Sequence, residues 1–175
     1  MAESGMDDAN IVLGFAGQRD AQTLALMSRD LIEAGLGWAY RKDRIARLIG
    51  HPEAAAIVAR DGDRPIGFAI MTFGDERAHL VLLAVRPSHR RCGVARRLLA
   101  WLVESALTAG MASIHVELRV ENVSAHALYR AGGFTETLRV PGYYAGRETA
   151  IRMMRLLRAP DVVAPSWRWP TLDRH

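Results

Sequence analysis

Apolar and polar positions follow two different periods along this chain, and the switches between them mark out its elements. Ile11 to Phe15 is a short apolar run that predicts a first strand. From Asp20 to Glu33, Leu24, Leu26, Met27, Leu31 and Ile32 recur at helical spacing, and Gly35 with Gly37 then stops the helix. Residues 41–49 predict a second, shorter helix. Two apolar runs, 54–59 and 65–73, flank the polar turn Arg60-Asp61-Gly62-Asp63-Arg64, whose Asp-Gly pair suits a hairpin. After the turn Gly74-Asp75-Glu76, residues 79–85 are nearly all apolar, as in a buried strand.

The second half changes period again. Over residues 91–109, Val94, Leu98, Leu102 and Ala106 fall on one line with Ala95, Leu99 and Val103 beside it, which predicts a long helix ended by Gly110. Ile114, Val116, Leu118 and Val120 then alternate with His115, Glu117, Arg119 and Glu121, a strand with one apolar and one polar face. Asn122 is placed to cap a helix that runs to Ala131, and Gly132-Gly133 terminates it. Residues 134–140 and 148–156 read as closing strands, with Tyr143 and Tyr144 in a glycine-flanked turn between them. The order of elements predicts a mixed α/β domain over residues 10–158. Residues 1–9 show no period and read as a frayed end. The tail 159–175, with Pro160, Pro165 and Pro170 around Trp167 and Trp169, has none either, and docks on the core or on a partner.

Composition narrows the functional classes. With 175 residues, half of them apolar, the chain can bury one core without disulfides or metal. A single cysteine, Cys92, rules out an internal disulfide or a multi-thiolate metal site, and no His, Asp and Glu cluster has ligand spacing. The acidic start lacks the pattern of a secretory signal, and no apolar stretch nears the ~20 residues that span a bilayer. A soluble protein of the reducing cytoplasm is expected. All 23 basic residues but Lys42 are arginine, spread over the whole chain, so the +4 net charge marks no dedicated nucleic-acid stripe.

One segment carries candidate chemistry. Between the buried strand and the long helix lies Arg90-Arg91-Cys92-Gly93-Val94-Ala95. A helix start offers unpaired N–H groups and the positive end of the dipole to a phosphate, and small residues at Gly93 and Ala95 let the ligand come close. The alternative is an ordinary strand-to-helix turn rich in solvated arginine. Neither a Walker A pattern nor G-x-G-x-x-G is present, which argues against ATP and NAD.

Arg90-x-x-Gly93-x-Ala95 after a strand ending Leu83-Ala84-Val85 resembles the acetyl-CoA loop of the GNAT acyltransferase superfamily. The likeness continues through Glu117-Leu118-Arg119, Asn122, Tyr129, Gly133-Phe134, Tyr143-Tyr144 and Ala150-Ile151, a run similar to the RimI type of ribosomal-protein alanine N-acetyltransferases. It covers residues 79–157 and says little about the first 50. The resemblance implies a central, mostly antiparallel sheet with helices on both faces and a splayed strand pair at the acetyl-CoA site. Leu83, Ala84, Val85, Arg90, Arg91, Cys92, Gly93, Val94, Ala95, Arg96 and Asn122 would then form the donor site, Asn122 touching the pantetheine arm as well as capping its helix. The co-substrate would be acetyl-CoA, with no metal.

Acetyl transfer to an amine needs a neutral amine, a donor for the thioester oxyanion and a proton for the leaving thiolate. Taken alone, Glu117 reads as a surface charge and Tyr129 as a core tyrosine. By the resemblance, Glu117 is the base, directly or through water, Tyr129 the proton donor, and an N–H near Ala84 or Val85 the oxyanion donor. An α-amine, with a pKa of about 7.7 to 8, asks less of that base than a lysine near ~10.4. Tyr143 and Tyr144 belong either to loop packing or to the acceptor pocket. His89, His115 and His126 read as surface histidines. The expected reaction is direct attack of a primary amine in a ternary complex, the acceptor being a protein or peptide N-terminus. Alternatives are a small amine acceptor or a non-catalytic acyl-CoA-binding module, and the oligomeric state, monomer or homodimer, stays open.

Overall fold

The computed structural model describes residues 10–158; the expectations for residues 1–9 and 159–175 lie outside the described residues. Seven strands form one sheet in the order β1-β2-β3-β4-β5-β7-β6. They are β1 (Ile11–Phe15), β2 (Ala54–Asp61), β3 (Arg64–Phe73), β4 (Arg77–Val85), β5 (Ser113–Arg119), β6 (Thr135–Tyr144) and β7 (Glu148–Leu156). Every neighbouring pair is antiparallel except β4 and β5. That single parallel pair is connected by a helix, as a parallel crossover requires.

Four helices cover the two faces: α1 (Ala21–Leu31), α2 (Lys42–Ile49), α3 (Val94–Thr108) and α4 (Val123–Ala131). The apolar stripe of α3, Val94, Leu98, Leu102 and Ala106, is buried against Ile57, Ala69, Met71, Leu80 and Ile114. On the opposite face Leu24 and Met27 of α1 and Ile45 of α2 bury against Val58, Phe68, Ile70 and Leu82. Each fully buried leucine or isoleucine of these layers contributes about 1.5 to 3 kcal/mol. The sheet is therefore sealed on both sides through its centre, which matches the sequence pattern of β3 and β4. Among the described residues no helix is long and apolar enough to cross a membrane.

The sheet is interrupted where β4 meets β5. The two strands pair only from Arg77↔Ser113 to Leu80↔Val116. Past that point the β4 register against β3 shifts, so that Ile70 faces Leu82 while Met71 faces Leu80, leaving Val81 as an extra residue. A bulge of this kind bends its strand and increases the twist. Leu82–Val85 then pair with β3 alone, and Glu117–Arg119 with β7 alone. The result is the splayed strand pair that the resemblance implied.

Three expectations are corrected. Tyr143 and Tyr144 lie at the end of β6 rather than in a turn, because Tyr144 pairs with Glu148 across the tight connection. The long helix begins at Val94 rather than at residue 91, because Arg91 and Gly93 take left-handed backbone angles that a helix excludes. His89 is buried, not a surface residue: a short 3-10 turn, Pro87–His89, tucks its ring against Ser88 Oγ at 2.7 Å and Asp61 Oδ2 at 3.1 Å.

Candidate active site

The loop between β4 and α3 leaves a run of backbone donors free. Arg91 has φ 61° and Gly93 φ 74°, so the backbone reverses twice before the helix starts. Among the described residues the amides of Arg91, Cys92, Gly93, Val94, Ala95 and Arg96 have no hydrogen-bond partner, and the first amide to find one is Arg97, which donates to the Gly93 carbonyl at 3.0 Å. Half of these lone donors are the first turn of α3, where the helix dipole adds positive potential. The Cβ position of Gly93 faces open space, so nothing covers the loop there. Arg90 donates from Nε to the Val85 carbonyl at 3.3 Å and fixes the loop to the end of β4. Gly67 of β3 lets α3 sit this close, since a Cβ there would stand 3.2 Å from both the Ala84 carbonyl oxygen and Val94 Cγ1.

From this loop the splay leads to Glu117. Its Oε2 accepts from His79 Nε2 at 2.6 Å, and its Oε1 lies 3.4 Å from Arg152 Nε. The bond from His79, helped by the His79 and Arg152 charges, holds the carboxyl below its ordinary range despite partial burial. By itself Glu117 is therefore a weaker base than an ordinary carboxylate. Sequence reasoning missed His79. Its one local cue is a polar residue in an apolar strand.

Tyr129 stands on α4 with its ring buried and 5.5 Å from the ring of Phe134. The hydroxyl makes no hydrogen bond among the described residues. It is not a sealed, unsatisfied atom either, so it reaches solvent-accessible space. Burial pushes its pKa upward, which keeps the phenol protonated. Asn122 caps α4 as expected, its Oδ1 accepting from the Ala125 amide at 3.1 Å. Leu83 lies on β4 with Ala84 and Val85, on the splayed side.

Two tyrosines, Tyr40 and Tyr144, feel the Glu117 charge, and Tyr143 packs edge to face on Tyr144 with ring centroids 5.0 Å apart. Burial raises Tyr144 to about 12, with Tyr143 and Glu117 adding to the effect. Tyr40, from the loop between α1 and α2, is raised by burial too and feels both Tyr143 and Glu117. The buried Glu33 shapes that loop by accepting from Ser28 Oγ at 2.9 Å and the Ala39 amide at 2.7 Å. Arg119 ties the loop to β5 by donating to the Ile32 and Ala34 carbonyls at 3.1 and 2.9 Å. Tyr40 and Glu33 were not singled out by sequence, and Arg119 only as part of the resemblance, because their roles arise only when the segment after α1 meets the end of β5. His126, 3.5 Å from Glu136, stays outside this set, whereas His115, beside Ser113 Oγ at 2.9 Å, stands opposite His79 in the register and feels the Glu117 charge.

Two concavities lie away from Glu117. One of about 290 Å³ between α3 and α4 is lined by Arg96, Leu99, Leu128 and Arg155, next to the anion loop. A larger one, about 1060 Å³, lies over β1 and contains none of the candidate residues.

Residues 24–134 match the acetyltransferase (GNAT) family. The chain belongs to this family. It is 37% identical over 94 residues to the ribosomal protein bS18-alanine N-acetyltransferase of Salmonella typhimurium, a stretch that covers 52% of this chain and 64% of that protein. The aligned stretch thus spans less than two thirds of that relative. The fold is shared with the ribosomal-protein-S18-alanine N-acetyltransferase of Escherichia coli, at TM-score 0.75 and 24% identity over 87% of this chain and 98% of the other. It is shared as well with a spermidine N-acetyltransferase chimera from Vibrio cholerae, at TM-score 0.70 and 19% identity over 85% of this chain and 96% of that one. One GNAT fold therefore serves protein and polyamine acceptors, and the fold alone does not choose between them.

Proposed function

We propose that this GNAT protein transfers the acetyl group of acetyl-CoA to a primary amine within a ternary complex, and that the acceptor is the α-amine of a protein or peptide N-terminus. The observation that carries the donor assignment is the run of lone amides from Arg91 to Arg96 at the head of α3. Six donors and a helix N-terminus suit a pyrophosphate, and Arg90, Arg91 and Arg96 add charge around it. Leu83 to Val85 and Asn122 flank the splay through which a pantetheine arm would pass.

In this reading an amide near Ala84 or Val85 holds the charge that develops on the thioester oxygen. Glu117 with His79 takes the proton that the attacking amine sheds, directly or by way of water. Tyr129 gives its proton to the departing thiolate. Such proton transfers contribute about 10²- to 10⁴-fold each. Tyr40, Tyr143 and Tyr144 line the acceptor side, where rigid aromatics can grip an extended peptide. An α-amine is the acceptor that best suits a base as weak as Glu117, since about 7.7 to 8 is its ordinary pKa. The related bS18-alanine N-acetyltransferases support that acceptor class. The cytoplasm, where a lone thiol stays reduced, is the assigned compartment.

A thiol-release assay over a panel of peptides with free or blocked N-termini, lysine side-chain amines and small amines tests the reading. Acetylation at free α-amines, located by mass spectrometry, is expected. Turnover restricted to small amines overturns the acceptor, and no turnover with any amine overturns the chemistry.

A further inference from the structure

The concavity of about 1060 Å³ over β1 has no role in the site described above. Its walls are β1 and one stripe of α3, and its apolar lining includes Val12, Phe15, Phe73 and Trp101. Phe15 is 71% exposed and Val12 66%, although the Phe15 and Trp101 rings pack edge to face at 5.7 Å. β1 is also an edge strand of the sheet. An apolar groove beside an open edge invites association unless something covers it.

The described chain ends beside this groove. The amides of Leu157 and Arg158 donate to the Ala112 carbonyl at 2.8 and 3.4 Å, three residues from Ala109, which lines the groove. Arg158 also pairs with Glu76 at 3.1 Å. Residues 159–175 follow, with Val162, Val163, Trp167, Trp169 and Leu172 as apolar groups among three prolines. Extended, the nine residues from Arg158 to Trp167 reach ~30 Å. The groove follows α3 from Arg97 to Ala109, about 18 Å at a helical rise of ~1.5 Å per residue. Charge fits as well: Glu53 and Glu104 line the groove without an ion-pair partner among the described residues, and Arg168 stands between the two tail tryptophans. Residues 1–9 offer only Met1 and Met6 as large apolar groups, among three acidic ones.

We infer that residues 159–175 dock back onto their own chain in the groove between β1 and α3, with Trp167 and Trp169 as the apolar anchors and Arg168 facing Glu53 and Glu104. The tail then covers the edge of the sheet and closes the groove to other partners, on the side of α3 away from the shorter concavity.

Fluorine NMR of the full chain labelled with 5-fluorotryptophan tests this. The four tryptophan signals are assigned with single Trp→Phe variants, and their exposure is read with a soluble paramagnet. Trp167 and Trp169 should be shielded in dilute and concentrated samples alike. Phe15→Glu or Glu104→Arg, both at exposed positions, should increase their paramagnetic broadening several-fold while circular dichroism stays unchanged. Tryptophans that are fully open in the native chain overturn the inference. Shielding that grows with concentration assigns the groove to a second copy, and shielding that both variants leave intact places the tail elsewhere; either overturns it too.

Discussion

His79 and Glu117, 38 residues apart in the chain, meet at 2.6 Å across the last paired stretch of β4 and β5. In the parallel register His79 faces His115, so Glu117 is the next residue along on the same face, one step into the splay. The pair therefore stands where the sheet opens. Its position follows from the bulge at Val81, which ends the pairing just after the two side chains have been brought together.

Removing His79 should weaken catalysis, because the amine proton can then no longer be shared with the imidazole, even though Glu117 alone becomes the stronger base. In His79→Ala the carboxyl loses the hydrogen bond that contributes most to its lowered pKa, so its pKa rises toward the ordinary value. A carbon-13 titration of the Glu117 carboxyl reads that shift directly. Turnover should fall by ~10²-fold, the low end of general base effects, as should that of Glu117→Gln. The double variant should lose little more than either single one, since the two act as one unit. Additive losses would show independent roles.

Tyr129→Phe should separate catalysis from stability. The hydroxyl makes no bond among the described residues, while the ring packs on Phe134, and phenylalanine keeps that packing. Unfolding free energy in urea should change by less than about 1 kcal/mol. Turnover should fall by ~10²-fold or more with acetyl-CoA binding nearly unchanged. A variant with full turnover removes Tyr129 from the proton transfer.

How much of this was legible depends on how local each feature is. The strand-to-helix turn at Gly93 could be read from sequence because it is made of neighbouring residues, and Asn122 because a cap acts within three residues. The stripe of α3 announced its buried face in the same way. His79 was not legible, since strand register is invisible in a string of letters. His89 was misread as exposed, because the turn that buries it against Asp61 joins segments 28 residues apart. Tyr143 and Tyr144 read as a turn on account of Gly142 and Gly146, yet β7 supplies a partner that extends β6 through them.

Gly93→Ala tests the loop. With φ at 74°, an added Cβ meets no neighbour, so the cost is backbone strain alone, on the order of 1 to 2 kcal/mol. Denaturant unfolding should show a loss of that size. Coenzyme A affinity, measured by calorimetry, should fall as well, because relief of the strain turns the lone amides away from a common point. A stability loss with affinity intact would mean that the loop tolerates both conformations and does not hold the pyrophosphate.

Far from the splay, acid stability should depend on Asp20. Its carboxylate, buried at the start of α1, accepts from Arg60 Nη2 with both oxygens at 2.7 Å and from the Gly17 amide at 2.8 Å. Burial alone would raise its pKa; the bonds from Arg60 and Gly17 outweigh that and hold it below that of a free aspartate. The unfolded chain then binds this proton more readily than the folded one. The stabilisation is complete above the unfolded pKa and is lost as pH falls through the lower, folded one. Asp20→Asn should flatten the decline of stability below about pH 4, measured by urea unfolding at a series of pH values. At neutral pH it should cost about 3 kcal/mol, because Arg60 is left without its counter-charge. An unchanged acid limb in the variant would assign the pH dependence to other carboxylates.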